Sequence, residues 1–175
     1  YAIEINEPIP EFYNMKEISD KDRLVYEKIG MNIAGLIEDG STLQMGIGII
    51  PDIVLQFLTD KNDLGIHTEM FSDNLIDLIE SGVINGEKKT LLPGKVVSSF
   101  TLGTKKVFDY MHDNPVFEFR PTKFVNDPFT ISRNDNMVSI NSALEVDLTG
   151  QVCADSMGPK NFSGFGGQLD FIRGA

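Results

Sequence analysis

Two short β-like segments each run into a glycine or cap residue and then into a helical pattern, and this alternation constrains the fold most. Thr42-Leu43-Gln44-Met45 passes through Gly46-Ile47-Gly48 into a helix with Pro51 in its first turn and Ile53, Val54, Phe57 and Leu58 as its apolar face. A proline there costs nothing, because the first-turn N–H groups have no intrahelical partner. Leu64-Gly65-Ile66-His67-Thr68 is the next strand. After it Ser72 or Asp73 caps a helix carrying Leu75, Ile76, Leu78 and Ile79, stopped by Gly82. Strand, helix, strand, helix at this spacing implies right-handed crossovers and a mainly parallel sheet.

The flanking segments extend the pattern. Ser19-Asp20 caps a helix with Leu24, Ile29, Ile33, Leu36 and Ile37 near helical spacing, ended by Gly40. Val96-Val97 and Phe100 continue the sheet, a helix follows near Lys105 to His112, and Val116 to Phe119 is a strand. A short helix follows Asp127-Pro128, and Val138 to Leu148 is expected as a strand pair or one bent strand. The expected class is α/β, an open, mainly parallel sheet with helices on both faces, in one domain over residues 1–175. Asn6 to Glu11, with two prolines, is an extended opening segment. The chain starts at Tyr1 without methionine and stops at Gly174-Ala175 inside an apolar pattern, so a fragment of a longer polypeptide is expected.

Charge and composition exclude several classes. Twenty-six acidic against 15 basic residues give a net charge of −11, which repels phosphate backbones and disfavours nucleic acid as a partner. No apolar run approaches the roughly 18 residues of a membrane span, and no signal-peptide pattern opens the chain. The single cysteine, Cys153, rules out an internal disulfide, suits a reducing cytoplasm and is expected as a small buried hydrophobe. With two histidines, His67 and His112, no metal site is expected, and both are taken as structural.

Ligands of open α/β sheets bind beyond the carboxyl ends of the strands. Three features fall there. The Gly46-x-Gly48 turn allows close backbone approach and opens a helix whose N–H groups suit an anion, although such a turn also forms without a ligand. Glu69, at the end of the next strand, is a candidate carboxylate or else a solvated loop acid. Asn161 to Phe171 is a second glycine turn, with Gly164, Gly166 and Gly167 feeding an apparent helix, or a flexible loop. Asn126, before Asp127-Pro128, has the ordinary character of a turn or cap residue. Gly46-x-Gly48 with an acid roughly 20 residues on imitates a dinucleotide fingerprint, but Pro51 occupies the place of its third glycine.

Four segments together resemble the C-terminal catalytic half of the acetyl-CoA hydrolase/transferase family: Gly46 to Pro51, Leu64 to Met70, Ile140 to Val152 and Gly166 to Ala175. The resemblance runs from about Asp20 to the last residue. It implies the class I CoA-transferase fold, a preceding N-terminal half lining the same cleft, and a homo-oligomer. It implies Glu69 as the nucleophile. Gly46, Ile47, Gly48, Ile49 and Ile50 would lie along coenzyme A, with Gly166, Gly167 and Leu144 on the other side, and the Asn126 amide near the reacting carbonyl. Acyl-CoA and a short-chain carboxylate would be the substrates, with no permanently bound cofactor. An acyl-CoA hydrolase on the same scaffold, a non-catalytic nucleotide-binding module and a structural domain are the alternatives. Glu145 and Asp73 are the next carboxylates to consider.

Overall fold

The computed structural model describes residues 4, 6–12, 18–46 and 48–175. Its elements run α1 (Asp20–Ala34), β1 (Thr42–Met45), α2 (Ile49–Gln56), β2 (Gly65–Phe71), α3 (Ile76–Glu80), β3 (Val96–Thr101), α4 (Lys105–Met111) and β4 (Phe117–Phe119). Then come α5 (Thr122–Val125), α6 (Pro128–Ile131), β5 (Met137–Ile140), two hairpins and α7 (Gln168–Gly174). The hairpins pair β6 (Glu145–Val146) with β7 (Val152–Cys153) and β8 (Ser156–Met157) with β9 (Lys160–Asn161).

The five long strands form one parallel sheet in the order β4-β3-β2-β1-β5. This is the α/β architecture the alternation implies. A parallel sheet must be covered on both faces, and its central strands are accordingly buried along most of their length, polar residues included. Leu43, Ile66 and Val96 are buried in the main core with Val54, Leu58, Leu75, Ile76 and Val107. The opposite face carries a smaller core, built from Val97, Val125, Ile131 and Phe171 under α5, α6 and α7.

Several boundaries differ from the expectation. Helix α1 is capped by Ser19, whose hydroxyl accepts from the Asp22 amide at 3.2 Å, but it ends at Gly35 and not at Gly40. Leu36 is 80% exposed, so it does not continue the buried stripe, and Ile37 is buried from the following turn. Strand β2 runs on to Phe71, so Glu69 lies within its last three residues. Neither Ser72 nor Asp73 caps through its side chain. The Asp73 carboxylate instead accepts from the backbone and hydroxyl of Thr104, at 2.9 and 2.7 Å, ahead of α4. The Val138 to Leu148 stretch is not a strand pair: β5 joins the sheet, whereas β6 turns away to pair with β7. Helix α5 was not foreseen, since four residues after Pro121 carry no helical period.

Cys153 is half-buried, its thiol 3.0 Å from the Ser156 carbonyl, because a two-stranded hairpin has no interior to enclose it. His67 is fully buried, and His112 is exposed at the end of α4. The opening segment is tied down at its end: the Glu11 carboxylate accepts from the Lys105 amide at 2.7 Å. Among the described residues no helix is long and apolar enough to cross a membrane, and no group of three His, Cys, Asp or Glu is placed to hold a metal ion.

Candidate active site

Strand order reverses at β1: the chain steps from β1 through β2 and β3 to β4, then returns to lay β5 on the other side of β1. Loops leaving neighbouring strands at such a point diverge and leave a crevice beyond the carboxyl ends. A cleft of about 500 Å³ lies there. Its walls are Met45 at the end of β1 and Gly46 after it, Glu69 and Met70 on β2, residues 141–144 beyond β5, and the glycine-rich segment 162–168.

Buried polar side chains shape the strand ends around Glu69. The β1–β2 register is paired only at Thr42↔Gly65 and Leu43↔Ile66. Beyond it the Thr68 hydroxyl lies 3.3 Å from the Met45 amide and 3.2 Å from its carbonyl, in place of the backbone ladder. The β2–β3 ladder pairs 66–68 with 96–98 and 70–71 with 100–101, leaving Glu69 outside it. The Ser98 hydroxyl lies 3.0 Å from the Glu69 carbonyl. A half-buried carboxylate is thus held by its backbone while its side chain stays open to the cleft.

Two further groups meet that carboxylate. Asn126 is the C-cap of α5, where its backbone N–H donates to the Thr122 carbonyl at 2.8 Å. Gly167 is the N-cap of α7. A Cβ on Gly167 would collide with both Asn126 Nδ2 and Glu69 Oε2, so the glycine is the floor on which the two side chains converge. The donor end of the Asn126 amide faces this point, and its Oδ1 is buried with no hydrogen-bond partner among the described residues. Asn126, Glu69 and Gly166 also line a second hollow of about 380 Å³ with Thr122, Lys123, Asp127 and Asp170. Asp127 is already engaged: the Thr130 hydroxyl, 2.7 Å away, is the main influence holding its carboxyl below the usual range.

The first glycine turn is braced from β5. Gln44 Oε1 accepts from the Ser139 hydroxyl at 2.6 Å and from Asn141 Nδ2 at 2.9 Å. Gln44 Nε2 in turn donates to Asn141 Oδ1 at 3.2 Å. Gly46 fits against this cluster, where an added Cβ would lie 3.0 Å from the Ile140 carbonyl oxygen and 3.1 Å from Asn141 Oδ1. Gly48, with φ 131°, adopts a backbone conformation that a Cβ disfavours, and it delivers the chain into α2. Ile47 lies outside the described residues. The Ile50 side chain packs against the main core, so α2 can offer the cleft only backbone at that position.

Glu69, Gly46, Leu144, Gly166 and Gly167 thus share one cleft, and Asn126 adjoins it through Glu69. Gly48, Ile49 and Ile50 are not among its lining residues. Asp73 is occupied by Thr104, and Glu145 sits in the exposed β6–β7 hairpin. The supporting side chains Gln44, Thr68 and Ser98 were not singled out from sequence. Their signal is polarity at buried positions of the central strands.

Residues 103–175 match the acetyl-CoA hydrolase/transferase C-terminal domain. The 4-hydroxybutyrate coenzyme A transferase of Clostridium kluyveri is 54% identical over 175 residues, all of this chain and 40% of that protein. The chain belongs to the acetyl-CoA hydrolase/transferase family. The crystal structure of a 4-hydroxybutyrate CoA-transferase from Porphyromonas gingivalis superposes with a TM-score of 0.82 at 47% identity, covering 98% of this chain and 39% of that one. Within the family the acetyl-CoA hydrolase of Kluyveromyces lactis is more distant, 30% identical over 80% of this chain and 26% of its own length. The chain therefore spans less than half the length of these family members.

Proposed function

We propose that this chain is the C-terminal catalytic part of a longer CoA-transferase, which moves coenzyme A between an acyl-CoA and a short-chain carboxylic acid of the 4-hydroxybutyrate, butyrate or acetate type. One observation carries the proposal: the Glu69 carboxylate and the Asn126 amide converge over Gly167 at the mouth of the strand-end cleft. The names of the nearer relatives support transfer over hydrolysis.

The chemistry follows from a carboxylate beside a donor. Glu69 attacks the acyl-CoA carbonyl, the C–S bond breaks, and an acyl-glutamyl anhydride and CoA thiolate result. The thiolate attacks the glutamyl carbonyl of the anhydride, breaking its bond to the bridging oxygen; the first acid leaves as carboxylate and Glu69 is held as a CoA thioester. An acceptor carboxylate then attacks that thioester and the two steps run in reverse, releasing the new acyl-CoA and free Glu69. One acyl exchange is thereby divided into easier substitutions, with no net change in protons. Each tetrahedral intermediate bears an oxyanion, for which the Asn126 Nδ2–H and backbone N–H groups of the Gly166–Gly167 turn are the donors at hand, the Gly46 N–H being given to the Ile140 carbonyl. Coenzyme A is substrate and covalent intermediate here, and its large remote portion supplies binding energy for the strained anhydride step. The lone cysteine of these residues suits a reducing, cytoplasmic setting.

The test uses the full-length protein incubated with acyl-CoA and no acceptor acid. The intact mass should rise by that of CoA less one water, and borohydride reduction should fix the change at Glu69. Glu69→Gln should bind CoA yet lose both adduct and transfer. Transfer by Glu69→Gln at near wild-type rate would remove Glu69 as nucleophile, and thiol release into water outpacing transfer to added acetate would make the protein a hydrolase.

A further inference from the structure

His67 lies two residues before Glu69 on β2, on the face that carries the smaller core, and takes no part in the chemistry above. Its ring is fully buried. Nε2 is 2.8 Å from the carbonyl oxygen of Val125; because a carbonyl can only accept, this nitrogen carries the proton. The ring also meets Phe171 edge-on, with centroids 6.2 Å apart and planes at 63°. Val125 is the last residue of α5, and the next residue is Asn126. The Phe171 amide donates to the Gly167 carbonyl at 3.2 Å, within the first turn of α7. One side chain on the nucleophile's own strand therefore touches both short helices that bring Asn126 and Gly167 to Glu69.

We propose that His67 is a positioning residue of this site, its bond to Val125 and its contact with Phe171 setting Asn126 and Gly167 at working distance from Glu69. The role rests on Glu69 being the nucleophile. Packing alone does not account for a histidine here. An apolar side chain of similar volume would fill the space, whereas the imidazole must leave water and keeps Nδ1 without a hydrogen-bond partner among the described residues. Helices of four and seven residues have little rigidity of their own, so their placement depends on such tertiary ties. Burial also pushes the imidazole down to about 4, so the ring stays neutral through the physiological range and the tie does not change.

In the full-length protein, His67→Phe keeps the ring and the Phe171 contact but loses the donor, and His67→Gln returns an N–H near the Nε2 position. His67→Phe should lower kcat roughly 10- to 100-fold, since a misplacement of about 1 Å costs about that much, while KM for acyl-CoA stays within about twofold. The rate of CoA adduct formation should fall in parallel, and His67→Gln should recover most of both. If His67 acts through Asn126, then adding His67→Phe to Asn126→Ala should slow the enzyme little further. Wild-type kcat in His67→Phe, or His67→Gln no faster than His67→Phe at equal folded concentration, overturns the role. Should His67→Phe not fold, Phe171→Leu tests the other contact: kcat should fall with KM unchanged, and an unchanged kcat overturns it. Wild-type protein that acquires no CoA at Glu69 overturns the nucleophile and the His67 role with it.

Discussion

Gly167 separates the demands of the site from those of the fold. Its φ of −91° and ψ of 0° lie outside the left-handed region that only glycine favours, so an alanine can keep this backbone. The added methyl would instead land on Asn126 Nδ2 and Glu69 Oε2 and push both aside. Gly167→Ala is expected to reduce kcat by about 100-fold or more with the melting temperature little changed, a pairing that steady-state kinetics and thermal denaturation read together. Asn126→Ala removes a donor without filling space, and its loss in kcat should be roughly 10²- to 10³-fold if the amide faces the developing oxyanion. Asn126→Asp should be worse near neutral pH, because a second carboxylate beside Glu69 disfavours ionisation of the pair; its acid limb should shift to higher pH. Wild-type rates in either Asn126 variant would remove the amide from the chemistry.

At the scale of elements, β2 ties stability to pH. Desolvation is the main cause of the low His67 pKa, opposed by the bond to Val125 and reinforced by the nearby charge of Lys89. Lys89 is itself buried, which pushes its ammonium down to about 8. A base whose pKa falls on folding binds fewer protons folded than unfolded between the two values, so stability is lost as pH drops from 6.5 through about 4. The loss from His67 should reach about 3 kcal/mol by pH 4. Chemical denaturation at pH 7 and pH 4.5 should show the difference in wild type and a much smaller one in His67→Gln; equal slopes in both would show that His67 is not the group titrating. Sequence periodicity made the main elements legible because each glycine or cap stands beside a clear apolar pattern, as at Gly46-Ile47-Gly48. It missed α5, whose four residues complete barely one turn, and it stopped β2 at Thr68 because Glu69 has the polarity of a loop. The position of Glu69 at a strand end could be inferred from residues, but the nucleophilic role proposed for it rests on the family resemblance. Nothing in the spacing foretold that Asn126 and Gly167, 41 positions apart by their numbers (167 − 126), would meet it.

For the whole molecule, the cleft is lined in this chain by strand ends and glycine turns, and its rim carries exposed apolar side chains. Phe162 is 62% and Phe165 79% exposed, and both line the cleft. Apolar surface of that kind at a binding site is usually covered by more protein or by ligand. The relatives in which this segment occurs carry at least half of their length outside it. Residues 1–175 alone should therefore fold around the parallel sheet yet bind CoA weakly, with Glu69 open to water on the uncovered side. Their transfer rate is expected to fall at least roughly 100-fold below that of the full-length protein, as loss of a positioning wall misaligns carboxylate and thioester. Any residual turnover should shift toward hydrolysis, because water reaches a glutamyl thioester more readily in an open cleft than a second acid can be oriented there. Parallel assays of acetate-dependent transfer and acceptor-free thiol release, on the 175-residue chain and on the full-length protein, measure both quantities. Transfer by the short chain at a comparable rate and with an unchanged transfer-to-hydrolysis ratio would mean that these residues hold the complete catalytic apparatus.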